Sequence, residues 1–146
     1  MAQFIDYDQI LDDLVSLIDA NVTALRFVGK DIQDIDYNKG NVPSCDISLL
    51  SVNPVVRAGQ DYYTELVIQL IIYNTDLRSR QEAAMIRNDI VSEVQDIIRK
   101  NPRFSSVIES TILGPVDLVV GESEEQGWTA AAANMQISVF VFTDVA

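Results

Sequence analysis

The sequence predicts a single α+β domain over residues 1–146, in which a four-stranded antiparallel sheet carries two helices on one face, in the order α-β-β-α-β-β. The chain has 146 residues, 48% of them apolar, which suits one domain with a substantial core. Two segments repeat apolar residues at helical spacing, and four others show the alternation of strands. The sequence has no fixed-period repeat and no linker. One domain is therefore expected.

Both predicted helices have an apolar stripe and a clear boundary. In the first, the apolar residues recur at steps of three and four, and Asp6 followed by Gln9 is typical of an N-terminal cap: Ile10, Leu11, Leu14, Val15, Ile18, Val22. The second is predicted over residues 79–100 and ends before Pro102, which cannot continue a helix. Its buried stripe is expected to be Ile86, Ile90, Val94, Ile97 and Ile98.

The strands are predicted over residues 45–52, 62–73, 107–120 and 129–142, with Gly114-Pro115 forming a bulge or break in the third. The second and fourth strands each alternate between an aliphatic face and a mixed face. We expect the helices to cover the aliphatic faces: Leu66, Ile68, Leu70, Ile72, Met135, Ile137, Val139, Val141. Residues 29–44 are polar and rich in turn residues, so a long loop is predicted there.

Charge and composition exclude several classes of function. Ten basic and 22 acidic residues give a net charge of −12, a balance that disfavours binding to nucleic acid or anionic membranes. The chain lacks histidine and has one cysteine, Cys45, so histidine-based catalysis, an intrachain disulfide and a zinc–thiolate cluster are excluded. We therefore expect no enzyme, no cofactor and no metal, although a catalyst built on carboxylates, lysine or tyrosine stays open. No basic leader or membrane-length apolar run is present, which predicts synthesis in a cytoplasm.

Two segments have a chemical and a structural interpretation. Asp34, Asp36 and Asn38 precede Gly40 in a spacing that is similar to a calcium loop, but the glycine and the final acidic ligand are out of place, so a solvated turn is favoured. Arg78, Arg80 and Arg87 are expected on the exposed face of the second helix, where they would be solvated or form ion pairs between subunits.

Contact surfaces are the most informative prediction. The mixed sheet face carries large apolar residues that water would otherwise cover, so a subunit interface is predicted at Ile71, Tyr73, Phe140 and Phe142. Two predicted loops of opposite character, residues 55–61 and 121–127, are expected to meet different partners. The candidate contact residues in these loops are Arg57, Gln60, Asp61, Glu122, Glu124 and Glu125.

The overall layout resembles the tail terminator proteins of long-tailed bacteriophages. The resemblance covers nearly the whole chain and is carried by the acidic first helix, the strands at 45–52 and 62–73, the helix ending at Asn101-Pro102, and the final strand closing on Phe142. It implies a structural virion protein without catalytic residues, a hexameric ring that caps the tail tube, ends tail polymerisation and joins the tail to the neck connector.

This resemblance also implies the partners and the location. The partners would be further copies of the chain, the tail-tube protein and neck or connector proteins, with DNA passing through the ring without specific binding and with no membrane contact. The protein would be found in the tail–neck region of the virion, after assembly in the host cytoplasm. Another oligomeric neck or head-completion adaptor, or a non-catalytic binding module, fits the same layout.

Overall fold

The computed structural model describes residues 5–30, 42–58, 61–76, 80–123 and 128–143. They form two helices and five strands. In chain order these are α1 (Tyr7–Asn21), β1 (Phe27–Lys30), β2 (Ser44–Ala58), β3 (Asp61–Asp76), α2 (Arg80–Lys100), β4 (Ile108–Ser123) and β5 (Trp128–Thr143).

The five strands form one mixed sheet in the order β1-β2-β3-β5-β4. β1 runs parallel to β2, and each of the other neighbouring pairs is antiparallel. The predicted four-stranded antiparallel sheet in the order α-β-β-α-β-β is therefore wrong. The error lies in β1, a strand that was not predicted and whose last two residues, Gly29 and Lys30, fall in the segment predicted as a loop.

The short strand β1 escaped prediction for a physical reason. Its four residues include Gly29 and Lys30 and show no clear apolar alternation. It exists because its backbone pairs with the start of β2, from Phe27 opposite Ser44 to Lys30 opposite Ile47. A parallel pair also needs a connection across the end of the sheet, which local sequence patterns do not reveal.

Both helices pack on the same face of the sheet. One continuous core joins the α1 stripe, the α2 stripe and the aliphatic faces of β3 and β5, where every predicted inward residue from Leu66 to Ile72 and from Met135 to Val141 is buried. At the start of α1 the Asp6 carboxylate accepts a hydrogen bond from the Gln9 backbone N–H at 3.0 Å, as the cap signal predicted. Lys30 ties α1 to β1 by an ion pair with Asp12 at 2.9 Å.

The α2 helix buries an arginine that the sequence placed on its exposed face. Only 4% of Arg87 is accessible, and Ile90, Val94 and Ile98 continue the same buried stripe. Its Nη1 donates to the backbone carbonyls of Val119 at 3.1 Å and Ala132 at 3.4 Å. Arg87 therefore attaches α2 to both strands of the β4–β5 hairpin, and its predicted exposure is wrong.

Bulges interrupt two of the long strands, β2 and β4. In β4 the register shifts between Leu113 and Val116, where the sequence predicted a bulge or break at Gly114-Pro115, and the ladder then continues, so β4 is one bulged strand. A side chain at Gly114 would place its Cβ 2.7 Å from the Gln136 carbonyl oxygen, which explains the glycine. In β2 the register shifts near Leu50 and again at Pro54, since a proline inside a sheet belongs at a bulge or edge.

Candidate functional site

The four residues predicted as a subunit interface lie on the sheet face opposite the helices. Ile71, Tyr73 and Phe140 are half-buried there, and Phe142 is exposed. They do not form one patch. Phe140 pairs with Glu65, six residues along β3 from Ile71, which is about 20 Å at the usual rise of a strand.

Polar residues separate the two apolar ends of this open face. Gln69 lies opposite Gln136 on the neighbouring strand, and Ile71 lies opposite Asn134. Among the described residues, the Asn134 side-chain oxygen is the one buried polar side-chain atom without a hydrogen-bond partner. At one end Tyr63 and Phe142 make an edge-to-face contact, with ring centroids 5.8 Å apart. The face is therefore two small apolar areas flanking a polar centre.

The predicted contact loops are shorter than the sequence suggested. Arg57 lies in β2 and pairs with Tyr62, while Asp61 begins β3 opposite Ala58. Glu122 lies in β4 opposite Thr129. Gln60, Glu124 and Glu125 fall outside the described residues. Strand pairing therefore fixes the backbone of three predicted loop residues: Arg57, Asp61 and Glu122.

These two segments lie at opposite ends of the sheet. Arg57 is level with Tyr62, near the start of β3, whereas Glu122 is level, through Thr129, with Asp76 at the end of β3. The 14 residue-to-residue steps from Tyr62 to Asp76 span about 46 Å along an untwisted strand. The structure therefore separates Arg57 from Glu122 instead of bringing the two predicted contact segments together.

The chemistry available to the described residues is limited. Cys45 is fully buried, and burial raises the pKa of its thiol to about 12, with the nearby Asp46 carboxylate adding to the effect. It is therefore a neutral core residue at physiological pH. In the described ranges no three acidic or cysteine side chains come together as metal ligands. The calcium-like segment from Asp34 to Gly40 lies outside those ranges.

The described part of the chain also has no helix long and apolar enough to cross a membrane.

Sequence reasoning missed the exposed apolar residues at the two edges of the sheet. On β4, 57% of Ile112 and 59% of Val119 are accessible, and Leu118 is also more than half exposed. At the other edge, 51% of Leu50 and 37% of Phe27 are accessible. Strict alternation fails for β4 because the Gly114-Pro115 bulge reverses the parity of the strand, so that Leu113 and Val116 both pack against the core. The Gly114-Pro115 pair was the feature of the sequence that could have revealed this reversal of parity.

Comparisons of the chain with protein-family models and with curated proteins found no match to either.

Proposed function

We propose that this chain is a structural subunit of a ring, hexameric in the resembled family, that caps a bacteriophage tail tube, ends its polymerisation and joins it to the neck. The observation that carries the proposal is the placement of two chemically different segments at the two ends of one long sheet: one contains Arg57 and Asp61, and the other contains Glu122. A terminator has to match the tube on one side and present a different surface on the other.

The arrangement of the strands supports such a two-ended subunit. β3 and β5 are each 16 residues long and run side by side over their whole length, so they form a stiff connection between the ends. Arg57 stands at one end, and Glu122 stands at the other, close in sequence to Glu124 and Glu125. If the ring axis runs along the strands, one rim of the ring carries Arg57 with Asp61, and the opposite rim carries Glu122.

Exposed apolar side chains support self-association. Ile112, Val119 and Leu50 are more than half accessible in the single chain, and a soluble protein gains free energy by covering such residues. The net charge of −12 gives the assembled ring a strongly negative field, which lets DNA pass without adhering. No reaction is required for this role: the ring acts by occupying the end of the tube.

The test uses tail tubes assembled from a tail-tube protein of the same source as this chain. Adding the chain during polymerisation should fix the tube length and place a ring at one end, as seen by negative-stain electron microscopy. Charge reversal by Arg57→Glu, or by replacing Glu122, Glu124 and Glu125 with lysine, should leave the fold intact and impair either capping or joining to the neck.

The outcomes separate the possible roles. Overlong tubes identify the varied segment as the tube contact, and normal tubes that fail to join heads identify it as the neck contact. Tubes of unregulated length in the presence of the unmodified chain refute the terminator function. A chain that binds heads or connectors without capping tubes is instead a neck or head-completion adaptor.

A further inference from the structure

The two edges of the sheet carry most of the exposed large apolar side chains in the described part of the chain. Ile112, Leu118 and Val119 lie on the edge strand β4. Phe27 lies on the opposite edge strand β1, and Leu50 lies on the part of β2 that extends beyond β1. We call the first surface the β4 edge and the second the β1–β2 edge.

The register of the sheet places these residues at matching heights. Val119 and Phe27 are in the same cross-strand row, because the pairs connect Val119 to Ala132, Tyr73, Ser44 and finally Phe27. Ile112 is in the row that ends at Ser51 of β2, directly beside Leu50. If two copies stand side by side at equal height, Val119 of one therefore meets Phe27 of the next, and Ile112 meets Leu50.

Charge is complementary between the two edges. β4 contains three acidic residues and no basic one: Glu109, Asp117, Glu122. The β1–β2 edge contains Arg26, Lys30 and Arg57, with no acidic residue from 26 to 30 or from 48 to 58. Three of the ten basic residues of a strongly acidic chain are thus found on one edge. Lys30 is level with Val116, the residue before Asp117 of β4. Its ammonium group is also paired within the chain with Asp12 at 2.9 Å and Asp8 at 3.6 Å, so Arg26 and Arg57 are the other two positive charges of this edge.

The strand directions also fit. β4 runs opposite to β2, since the pairs β2–β3, β3–β5 and β5–β4 are all antiparallel. A copy placed beside β4 therefore continues the antiparallel alternation across the junction. Bulges and Pro54 and Pro115 divide both edges, which prevents a long uninterrupted ladder. The contact between two copies must then be made by side chains and by short stretches of backbone pairing.

We propose that copies of this chain associate head to tail, with the β4 edge of one copy against the β1–β2 edge of the next. Such a contact uses two different surfaces, so it closes into a ring when the rotation between copies divides the circle evenly. This names the subunit contact of the ring function proposed above and rests on it for ring closure. The opposite charges of the two edges attract each other at short range, and salt screens this attraction.

The experiment uses two full-length variants with opposite defects. The first carries Ile112→Lys and Val119→Lys, which replaces the two exposed apolar residues at the matched heights of β4 with positive charges. The second carries Phe27→Glu and Leu50→Glu, which places negative charges at the matching positions of the β1–β2 edge. Met85→Lys, at an exposed apolar residue of α2 and so outside both edge strands, is the matched control. Circular dichroism and thermal melting establish that each variant is folded before its mass is measured by light scattering and native mass spectrometry.

The expected result is that the unmodified chain and the Met85→Lys control form the same oligomer. Each edge variant alone should be monomeric, because every junction then places unpaired charges against the apolar residues of the neighbouring copy. An equimolar mixture of the two should regain the oligomer with alternating copies, since the lysines at 112 and 119 of the first variant then face the glutamates at 50 and 27 of the second.

Three results would overturn the edge contact: an unmodified chain that stays monomeric at high concentration, edge variants that associate like the control, or folded monomeric variants whose mixture does not associate. None of these readouts depends on tubes. Failure of the edge contact is therefore distinguishable from failure of the terminator function, which is measured by tube length.

Discussion

Replacing Arg87 tests how α2 is held on the β4–β5 hairpin. The guanidinium donates to the carbonyls of Val119 at 3.1 Å and Ala132 at 3.4 Å, and its other nitrogens donate to the side-chain oxygen of Asn88 at 2.9 and 3.1 Å. Asn88 is exposed and can turn to water, so its bonds are replaceable. The hydrogen bond to the Ala132 carbonyl is long at 3.4 Å, so the bond to Val119 is the stronger connection between the helix and the sheet.

The magnitude follows from these distances. A hydrogen bond from a charged group is worth about 1.5–3 kcal/mol. Burial of the guanidinium offsets part of this energy, and it lowers the pKa of Arg87 for the same reason. Arg87→Ala also leaves unfilled space, so we expect the free energy of unfolding to fall by roughly 2–4 kcal/mol. Arg87→Lys retains one donor and should lose roughly half as much.

Thermal and urea unfolding followed by circular dichroism measure these losses. For a chain of this size, 2–4 kcal/mol corresponds to a decrease in Tm of roughly 4–16 °C. The matched control is Arg99→Ala, which removes an exposed arginine from the last turn of the same helix and should cost about 0.5 kcal/mol. If Arg87→Ala is no more destabilising than Arg99→Ala, the carbonyl contacts contribute nothing and the reasoning is refuted.

Three further predictions concern the edge strand, the core thiol and metal. Gly114→Ala should lower the free energy of unfolding by about 1–3 kcal/mol, because the new methyl group meets the Gln136 carbonyl oxygen. The control Asp117→Ala, at an exposed residue of the same strand, should change the free energy of unfolding by less than about 0.5 kcal/mol. Equal urea midpoints for the two variants would contradict the predicted clash. Burial raises the pKa of Cys45 from 9.0 to about 12, so the folded state keeps a proton that the unfolded chain releases, and stability should fall as pH rises from 9 towards 12. The free energy of unfolding should fall by up to about 1.4 kcal/mol per pH unit in this range. Cys45→Ala should make this pH dependence shallower, as measured by urea titrations at several alkaline pH values. An unchanged pH dependence in the variant would count against burial of the thiol. Treatment with a chelator should leave Tm and oligomer mass unchanged, whereas a clear decrease in Tm would point to the segment from Asp34 to Gly40 as a calcium site.

Much of the core could be predicted because its signals are local. The stripes of α1 and α2 follow the period of the helix, and the inward residues of β3 and β5 follow the two-residue period of the strand. The Asp6 cap and the Gly114-Pro115 bulge depend on single residues with strong backbone preferences. In each case the physical cause lies within a few residues of the feature.

The candidate contact surfaces were less predictable. Ile71, Tyr73, Phe140 and Phe142 were grouped by face alone, and the sequence does not state the register that separates them by about 20 Å. Arg57 and Glu122 were identified as residues of opposite character, but their placement at opposite ends depends on which strands are neighbours. The matching heights of Val119 and Phe27 arise from four successive strand pairings, none of which a local pattern reveals.

The sequence by itself determined the helices, the inward faces of the long strands and the strong excess of acidic residues, since each depends on composition or on short-range periodicity. Only the tertiary structure decided that Phe27–Lys30 is a strand, that Arg87 is buried, and that exposed apolar residues of the two sheet edges lie at matching heights. A four-residue strand is stabilised by the hydrogen bonds of its neighbour, and a buried arginine by distant carbonyls. Their energies therefore depend on contacts between residues far apart in the chain.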